Sequence, residues 1–507
     1  MCSADSVLRG KALPFHWSLP HTNLENGLGA PTATPQKFNF LEIFFRNMTL
    51  LRKNPVLWIE SNLWQLWNVF HYHWFSLTNN RVVAAKKCWK CLSIQMRPNN
   101  IPIYLCQICK RLSLMYKKSE DVPDRVRAIP GLTGVRGVAA FWVFLNHMGH
   151  LTAFMLFWPQ LENYILISNG FRGVDLFFIL SGFILMHVHA NELKKPDKGA
   201  LSKFYITRFF RVYPINAFVL LLLVPFVLSF PHYVAVSRSY TDAHFAYRIH
   251  NYSAAGFVQS LLLVQTWTFL KLGEWNIAAW TLSAEVLGYI FFPYLARHIM
   301  KEYSTRKCVI YAFLSLVCLT GLLIIFGHAE NNPTGTFGSV RMAFCFFSGI
   351  CIYRAYQLIG DRFIPYSSGL TILSIVFIST TMFWAATPLL DSFGFAGLIF
   401  GLAYGRGPVN ALLTSPSALF MGKISFSFYL IHFLLIEIFF WAFAGALRGQ
   451  NLGIRIGALL ALAAFCFAVS CALYIGIEKP FQRAGKNLVS RWSRKNSLAF
   501  RQVKPAG

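Results

Sequence analysis

The stretch RGVAAFWVFLNH, residues 136–147, sets a cation at one end of an apolar run and an imidazole at the other. Arg136 and His147 are eleven positions apart. At about 100° per residue, eleven steps come within roughly 20° of three full turns, so a helix would carry both side chains on one face. At about 1.5 Å per residue they stand roughly 16 Å apart along the axis, half of a bilayer core of about 30 Å. With Arg136 at a membrane surface, His147 falls near mid-membrane, where an ionisable group is expensive and points to function.

Composition extends the membrane reading to most of the chain. Of its 507 residues 55% are hydrophobic, 13% are charged and 49 are Phe; mean hydropathy is +0.46. From about Val135 to Ile477, apolar runs of membrane-spanning length recur with short interruptions, the pattern of an all-α polytopic membrane protein. A formal charge of +27 would otherwise point to nucleic acid. Here the basic residues gather in short loops and at the termini, which fits the positive-inside rule and anionic lipid headgroups, so no nucleic acid is expected as a partner. The 11 cysteines show no evenly spaced secreted framework. Cys308, Cys318, Cys345, Cys351, Cys466 and Cys471 lie in or beside apolar segments and read as small buried hydrophobes.

Residues 1–124 differ from the rest. They hold no span, and Met115 stands within them as an alternative start. Cys88-x2-Cys91 and Cys106-x2-Cys109 are weak candidates for a tetrahedral zinc site. Their internal gap of 14 residues falls short of the zinc-ribbon range of about 15–20, and chance pairing is the plainer reading. No metal is expected.

Beyond this extension the first span is expected from about Val135 to Trp158, and the second within GFRGVDLFFILSGFILMHVHA, 170–190, where Gly173, Ser181 and Gly182 allow close helix packing. Lys194, Lys195, Lys198 and Lys203 place the next loop in the cytoplasm, and with it the N-terminus. Arg208 and Arg211 are expected just before a span ending near Phe230, with Pro214 near the helix start. The segments 255–270 and 280–295 are each short for a span, and the basic loop RHIMKEYSTRK, 297–307, follows them. One net crossing with a broken or re-entrant portion satisfies both facts. Six further runs, near 308–327, 338–355, 366–385, 393–404, 417–442 and 453–477, bring the expectation to about ten crossings with both termini cytoplasmic. Residues 125–482 then form the membrane domain. Residues 483–507, basic and without an acidic residue, read as a disordered, lipid-facing cytoplasmic tail, and Glu478 with Lys479 as an exposed pair ending the last helix.

Further stretches put polar groups among apolar ones: GVDLFFILSGF with Asp175, TRFFRVYP with Arg208 and Arg211, WTLSAEVLGYIFFP with Glu285 and Tyr289, ISFSFYLIHFLLIE with Tyr429, His432 and Glu437, and the closing YIGIEKPF at 474–481. Together with RGVAAFWVFLNH, and in this order, they resemble the acyltransferase 3 family of integral-membrane acyltransferases over roughly Asp124 to Arg483. The resemblance implies transfer of an acyl group, commonly acetyl, from cytoplasmic acyl-CoA to a hydroxyl of a glycan, glycolipid or other envelope component. It implies a multi-pass protein of the cytoplasmic membrane. The family's functional Arg and His map onto Arg136 and His147, its RxxR-x2-P element onto Arg208, Arg211 and Pro214, and its W-x-L-x-x-E element onto Trp280, Leu282 and Glu285. Some relatives carry a C-terminal extracytoplasmic hydrolase-like domain. None is read here, which leaves open transfer by this chain alone or with an extracytoplasmic partner protein.

The chemistry of the residues agrees with that resemblance. Guanidinium forks suit phosphates, so Arg136, Arg208 and Arg211 are candidates to hold the donor's head. His147, neutral in an apolar setting, is the candidate general base. Glu285 could orient or stabilise it, and Tyr289 or an arginine could steady an oxyanion. Asp175 reads equally as an acceptor contact or a structural cap, and His432 equally as site or scaffold; Glu437 reads as structural, and His187 and His189 as interfacial. A proton-coupled transporter or flippase is the competing class, since buried His, Asp and Glu also describe carriers. The absence of a visible inverted repeat counts against it.

Overall fold

The computed structural model describes residues 128–154, 158, 160, 163–193, 198–234, 252–267, 275–326, 336–383 and 390–502. Among them there is no strand. The helices in chain order are α1 (Pro130–Phe154), α2 (Gly173–Leu193), α3 (Lys198–Val234), α4 (Ala254–Leu262), α5 (Trp280–Glu302), α6 (Thr305–Phe326) and α7 (Thr336–Ile359). They continue as α8 (Ile364–Phe383), α9 (Asp391–Leu402), α10 (Gly407–Leu413), α11 (Pro416–Leu447), α12 (Leu452–Leu473) and α13 (Lys479–Gln502). The cysteine pairs Cys88/Cys91 and Cys106/Cys109 lie outside the described residues.

Six described stretches are long and apolar enough to cross a membrane: Ile165–Leu193, Gly199–Leu228, Thr305–Ile325, Phe337–Phe383, Pro416–Leu447 and Leu452–Trp492. The chain is an all-α polytopic membrane protein. The stretch Phe337–Phe383 contains two helices, α7 and α8, separated at Gly360, whose φ of 58° is a left-handed conformation. α1 and α5 fall outside the six, because each carries its polar load within the helix: Arg136, Asn146 and His147 in one, Glu285 and Arg297 in the other. α6 is apolar on all sides and leaves Val309, Phe313, Leu314, Ile324 and Ile325 exposed. Such a surface is stable against lipid and costly against water.

Two close crossings set the bundle's centre. A Cβ on Gly182 of α2 would collide with the carbonyl oxygen of Phe346 in α7, and one on Gly349 of α7 would collide with that of Ile179. α1 meets α11 in the same manner, with a Cβ on Gly422 striking the carbonyl of Thr133. Without side chains between them the backbones approach closely, the usual means of joining helices where lipid removes the hydrophobic drive. Gly182 does what its small size predicts; Ser181 beside it has another use, described below.

The run from 252 to 302 is interrupted. α4 lasts 9 residues and ends at Leu263 in a left-handed conformation (φ 58°). The irregular backbone that follows is buried and hydrogen-bonded: Thr266 and Ser283 hydroxyls are 2.9 Å apart, Ser339 donates to the Thr266 carbonyl at 3.0 Å, and Asn276 donates to the Leu430 carbonyl at 3.0 Å. Irregular backbone inside a membrane protein requires such partners.

Three local expectations are corrected. Pro214 lies in the interior of α3, a helix of 37 residues, and Arg208 and Arg211 are well inside that helix too. α12 runs through a π-helical turn, Tyr474–Glu478, directly into α13, so the chain from 479 to 502 is a helix and not a disordered tail. Gly485 of α13 rests against the Phe210 ring, which seats this helix on α3. Cys318 is exposed, and Cys471 is only half-buried; the other four cysteines of the apolar segments are buried as expected.

Candidate active site

α1, α2, α3, α5 and α11 enclose a cavity of about 210 Å³. Arg136 reaches it from α1, and Arg208 and Arg211 from α3, three residues apart and so on one face. Glu285 and Tyr289 reach it from α5 with a four-residue spacing that also keeps them on one face. Ser181 of α2 and Tyr429 of α11 complete its polar lining. Residues from five separate stretches of sequence thus converge, and Trp280 packs its ring edge-on to Phe178, another lining residue, at 5.9 Å.

The arginines are held differently. The Arg208 guanidinium carbon lies 5.8 Å from the Phe204 ring centroid and 5.9 Å from that of Tyr289. Its Nη2 is 2.7 Å from His189 Nε2, and its Nε has no hydrogen-bond partner among the described residues. Because guanidinium only donates, His189 Nε2 is the acceptor. His189 is buried, not interfacial as its position near a helix end implies. Arg211 stands 5.8 Å from the Phe426 ring and near the charge of Glu478. The charges of Arg211, Glu478 and Glu285 all act on Arg136. Three guanidinium groups against these two carboxylates leave one formal positive charge in a low-dielectric space, an arrangement that seeks an anion.

Glu478 is the main departure from expectation. It is only 4% exposed, so it makes no surface pair with Lys479. Its carboxylate accepts hydrogen bonds from Ser427 Oγ at 2.6 Å and Gln482 Nε2 at 2.9 Å. The π-helical turn it closes turns this carboxylate inward, and such turns are frequent at functional sites. Glu285 is fixed as well, accepting a hydrogen bond from Ser181 Oγ to its Oε1.

His147 is not part of the cavity lining. Its ring packs 5.3 Å from His432 and 5.3 Å from Phe433, at ring centroids. His432 sits one helical turn beyond Tyr429, which does line the cavity. Asp175 stands apart from both: it is fully buried and accepts from Arg341 Nη2 at 2.8 Å. A second buried pair, Arg172 with Asp391 at 2.9 Å, ties the turn before α2 to α9. Arg341, Arg172 and Asp391 were not singled out by sequence reasoning. A lone Arg in the apolar run TFGSVRMAFCFF does signal a buried carboxylate partner, but it does not say which one. Glu437, read as structural, accepts a 3.4 Å bond from the Tyr252 hydroxyl.

Fold and cavity define an integral membrane protein with a buried, cation-lined polar site. A model of the acyltransferase domain matches residues 129–476, and the chain belongs to the acyltransferase 3 family. It is an acyltransferase. Among its relatives, acyltransferase MdmB of Streptomyces mycarofaciens is 24% identical over 405 residues, covering 71% of this chain and 94% of that protein. O-acetyltransferase OatA of Staphylococcus aureus (strain NCTC 8325 / PS 47) is 23% identical over 353 residues, covering 64% of this chain and 52% of that protein, so the chain spans about half of OatA's length. No solved structure matches.

Proposed function

We propose that the protein transfers an acyl group, acetyl in the first instance, from cytoplasmic acyl-CoA to a hydroxyl of a glycan, glycolipid or similar envelope acceptor. The observation that carries this reading is the convergence of Arg136, Arg208 and Arg211 on the same cavity as Glu285 and Tyr289. The acetyl group is supported by the name of OatA, an O-acetyltransferase. An acceptor on the envelope, and a partner protein that completes transfer outside the membrane, remain part of the proposal.

In this reading the arginines hold the donor's phosphates by forked, charge-assisted bonds. Arg208 keeps Nε available for this while His189 fixes its other end. The pantetheine arm runs past Tyr429 toward His147. His147 removes the proton of the acceptor hydroxyl as that oxygen attacks the thioester carbonyl. The C–O bond forms, the C–S bond breaks, and the thiolate leaves with its electron pair and takes up the proton released by His147. Glu285, held by Ser181, balances positive charge in the site, and the Tyr289 hydroxyl faces the developing oxyanion. The basic clusters at 194–203 and 297–307 support a cytoplasmic donor side, in a topology of about ten crossings with both termini on that side.

The test is thioester chemistry. Purified protein in detergent micelles, given acetyl-CoA and a hydroxyl acceptor extract, is expected to release free CoA thiol. A carrier without transfer chemistry would leave the thioester intact, and that outcome would return the transporter reading.

A further inference from the structure

Glu478 has no task in the transfer steps above, yet it is built into the wall of the cavity. Ser425 and Phe426 of α11 line the cavity, whereas Glu478 does not. The next residue of α11, Ser427, is fully buried and donates its hydroxyl to Glu478 Oε2 at 2.6 Å. Gln482, in the first turn of α13, donates to Oε1 at 2.9 Å. Both oxygens are thus held by donors, the setting of an ionised carboxylate.

The arginines in front of it are open to a ligand. Arg211 holds its guanidinium carbon 5.8 Å from the ring of Phe426, the neighbour of Ser427. The charges of Arg211 and Arg136 both act on Glu478. Yet neither hydrogen bond of Glu478 goes to an arginine, and among the described residues no carboxylate is ion-paired with Arg136 or Arg211. Glu478 therefore offsets positive charge through space. A carboxylate in direct contact would occupy the same N–H groups that a phosphate needs.

We propose that Glu478 sets the grip of the donor site: acting through Arg211 and Arg136, its fixed charge weakens their hold on the donor's phosphates, so that spent CoA leaves. The inference rests on the acyl-transfer reading above. Three guanidinium groups in a low-dielectric space attract a polyanion strongly, and CoA carries the same phosphates before and after transfer. Holding both forms tightly does nothing for the chemical step and slows release. A charge behind the wall lowers the affinity for either form without blocking the site. Because it touches no ligand, Glu478 is a positioning residue.

The experiment measures equilibrium binding of CoA and acetyl-CoA to the purified full chain in detergent micelles, with CoA dissociation followed by stopped flow. Wild type is compared with Glu478→Gln and Glu478→Ala, which remove the charge, and with Glu478→Asp, which keeps it. Glu478→Gln is expected to bind CoA about tenfold more tightly than wild type, chiefly through slower dissociation. Glu478→Asp is expected to stay within about threefold of wild type. A merely structural role gives the opposite sign, weaker binding as the arginines lose their setting. CoA bound by Glu478→Gln no more tightly than by wild type overturns the inference, and so does equal tightening in Glu478→Asp. If Glu478→Gln fails to fold, Glu478→Ala decides by the same comparison; failure of both beside a folded Glu478→Asp assigns the carboxylate to folding and also overturns it. A wild type that binds neither CoA nor acetyl-CoA removes the donor site and this inference together. A wild type that binds both, beside a Glu478→Gln of unchanged affinity, removes the inference alone.

Discussion

His189 and Arg208 are joined by a contact of 2.7 Å between imidazole Nε2 and guanidinium Nη2. It fixes one end of the cavity arginine whose guanidinium carbon lies within 6 Å of the Phe204 and Tyr289 rings. A hydrogen bond to a charged group contributes about 1.5–3 kcal/mol, and at about 1.4 kcal/mol per decade its loss is felt as affinity. His189→Leu is therefore expected to raise the KM for acetyl-CoA about tenfold and to leave kcat near wild type. Steady-state kinetics check this; a fall in kcat at unchanged KM would place His189 nearer the reacting atoms.

Glu285 is predicted to act in the opposite sense. Its carboxylate is held by Ser181 and faces the arginines. Glu285→Gln keeps the shape and the Ser181 contact but removes the charge. The expected result is a kcat lowered by about 100-fold with thermal stability close to wild type, measured by unfolding of the purified variant in detergent.

Asp175 and Arg341 form a buried pair, and neither lines the cavity, so their effect should be on stability. Asp175→Ala leaves the guanidinium buried and uncompensated, a loss of about 3–5 kcal/mol. The double variant Asp175→Leu with Arg341→Met removes both charges and is expected to recover most of that loss. Melting temperatures of the two proteins make the comparison; equal melting points would mean the pair is not coupled.

Gly182 and Gly321 provide a contrast in packing. A Cβ at Gly182 overlaps the Phe346 backbone, whereas one at Gly321 meets nothing within 4 Å. Gly182→Leu is expected to abolish recovery of monodisperse protein, and Gly321→Ala to leave it unchanged, by size-exclusion chromatography.

Much of this arrangement was legible in the sequence, for identifiable reasons. An arginine or glutamate inside an apolar run has few stable settings, which singled out Arg136, Arg208, Arg211 and Glu285, and the order of the motifs, through the resemblance to the acyltransferase 3 family, grouped them with Tyr289 before any geometry was known. Glu478 escaped because adjacent Lys479 suggests a surface pair, and the π-helical turn that rotates it inward leaves no periodic signature. His189 escaped because closeness to a helix end implies an interface, while the long α3 packs across it. His147 and Arg136 share a helix face in the sequence reading, yet only Arg136 lines the cavity. The rings of His432 and Phe433 that pack against His147 come from α11, nearly three hundred positions later, a distance that helical periodicity cannot bridge.

The central claim, that the three arginines form the donor's anion site, is tested most directly by equilibrium binding of acetyl-CoA to purified wild type and to Arg136→Ala, Arg208→Ala and Arg211→Ala. Each substitution removes charge-assisted bonds worth about 1.5–3 kcal/mol, so the dissociation constant is expected to rise about ten- to a hundredfold in each. Wild-type affinity in all three folded variants would contradict the account.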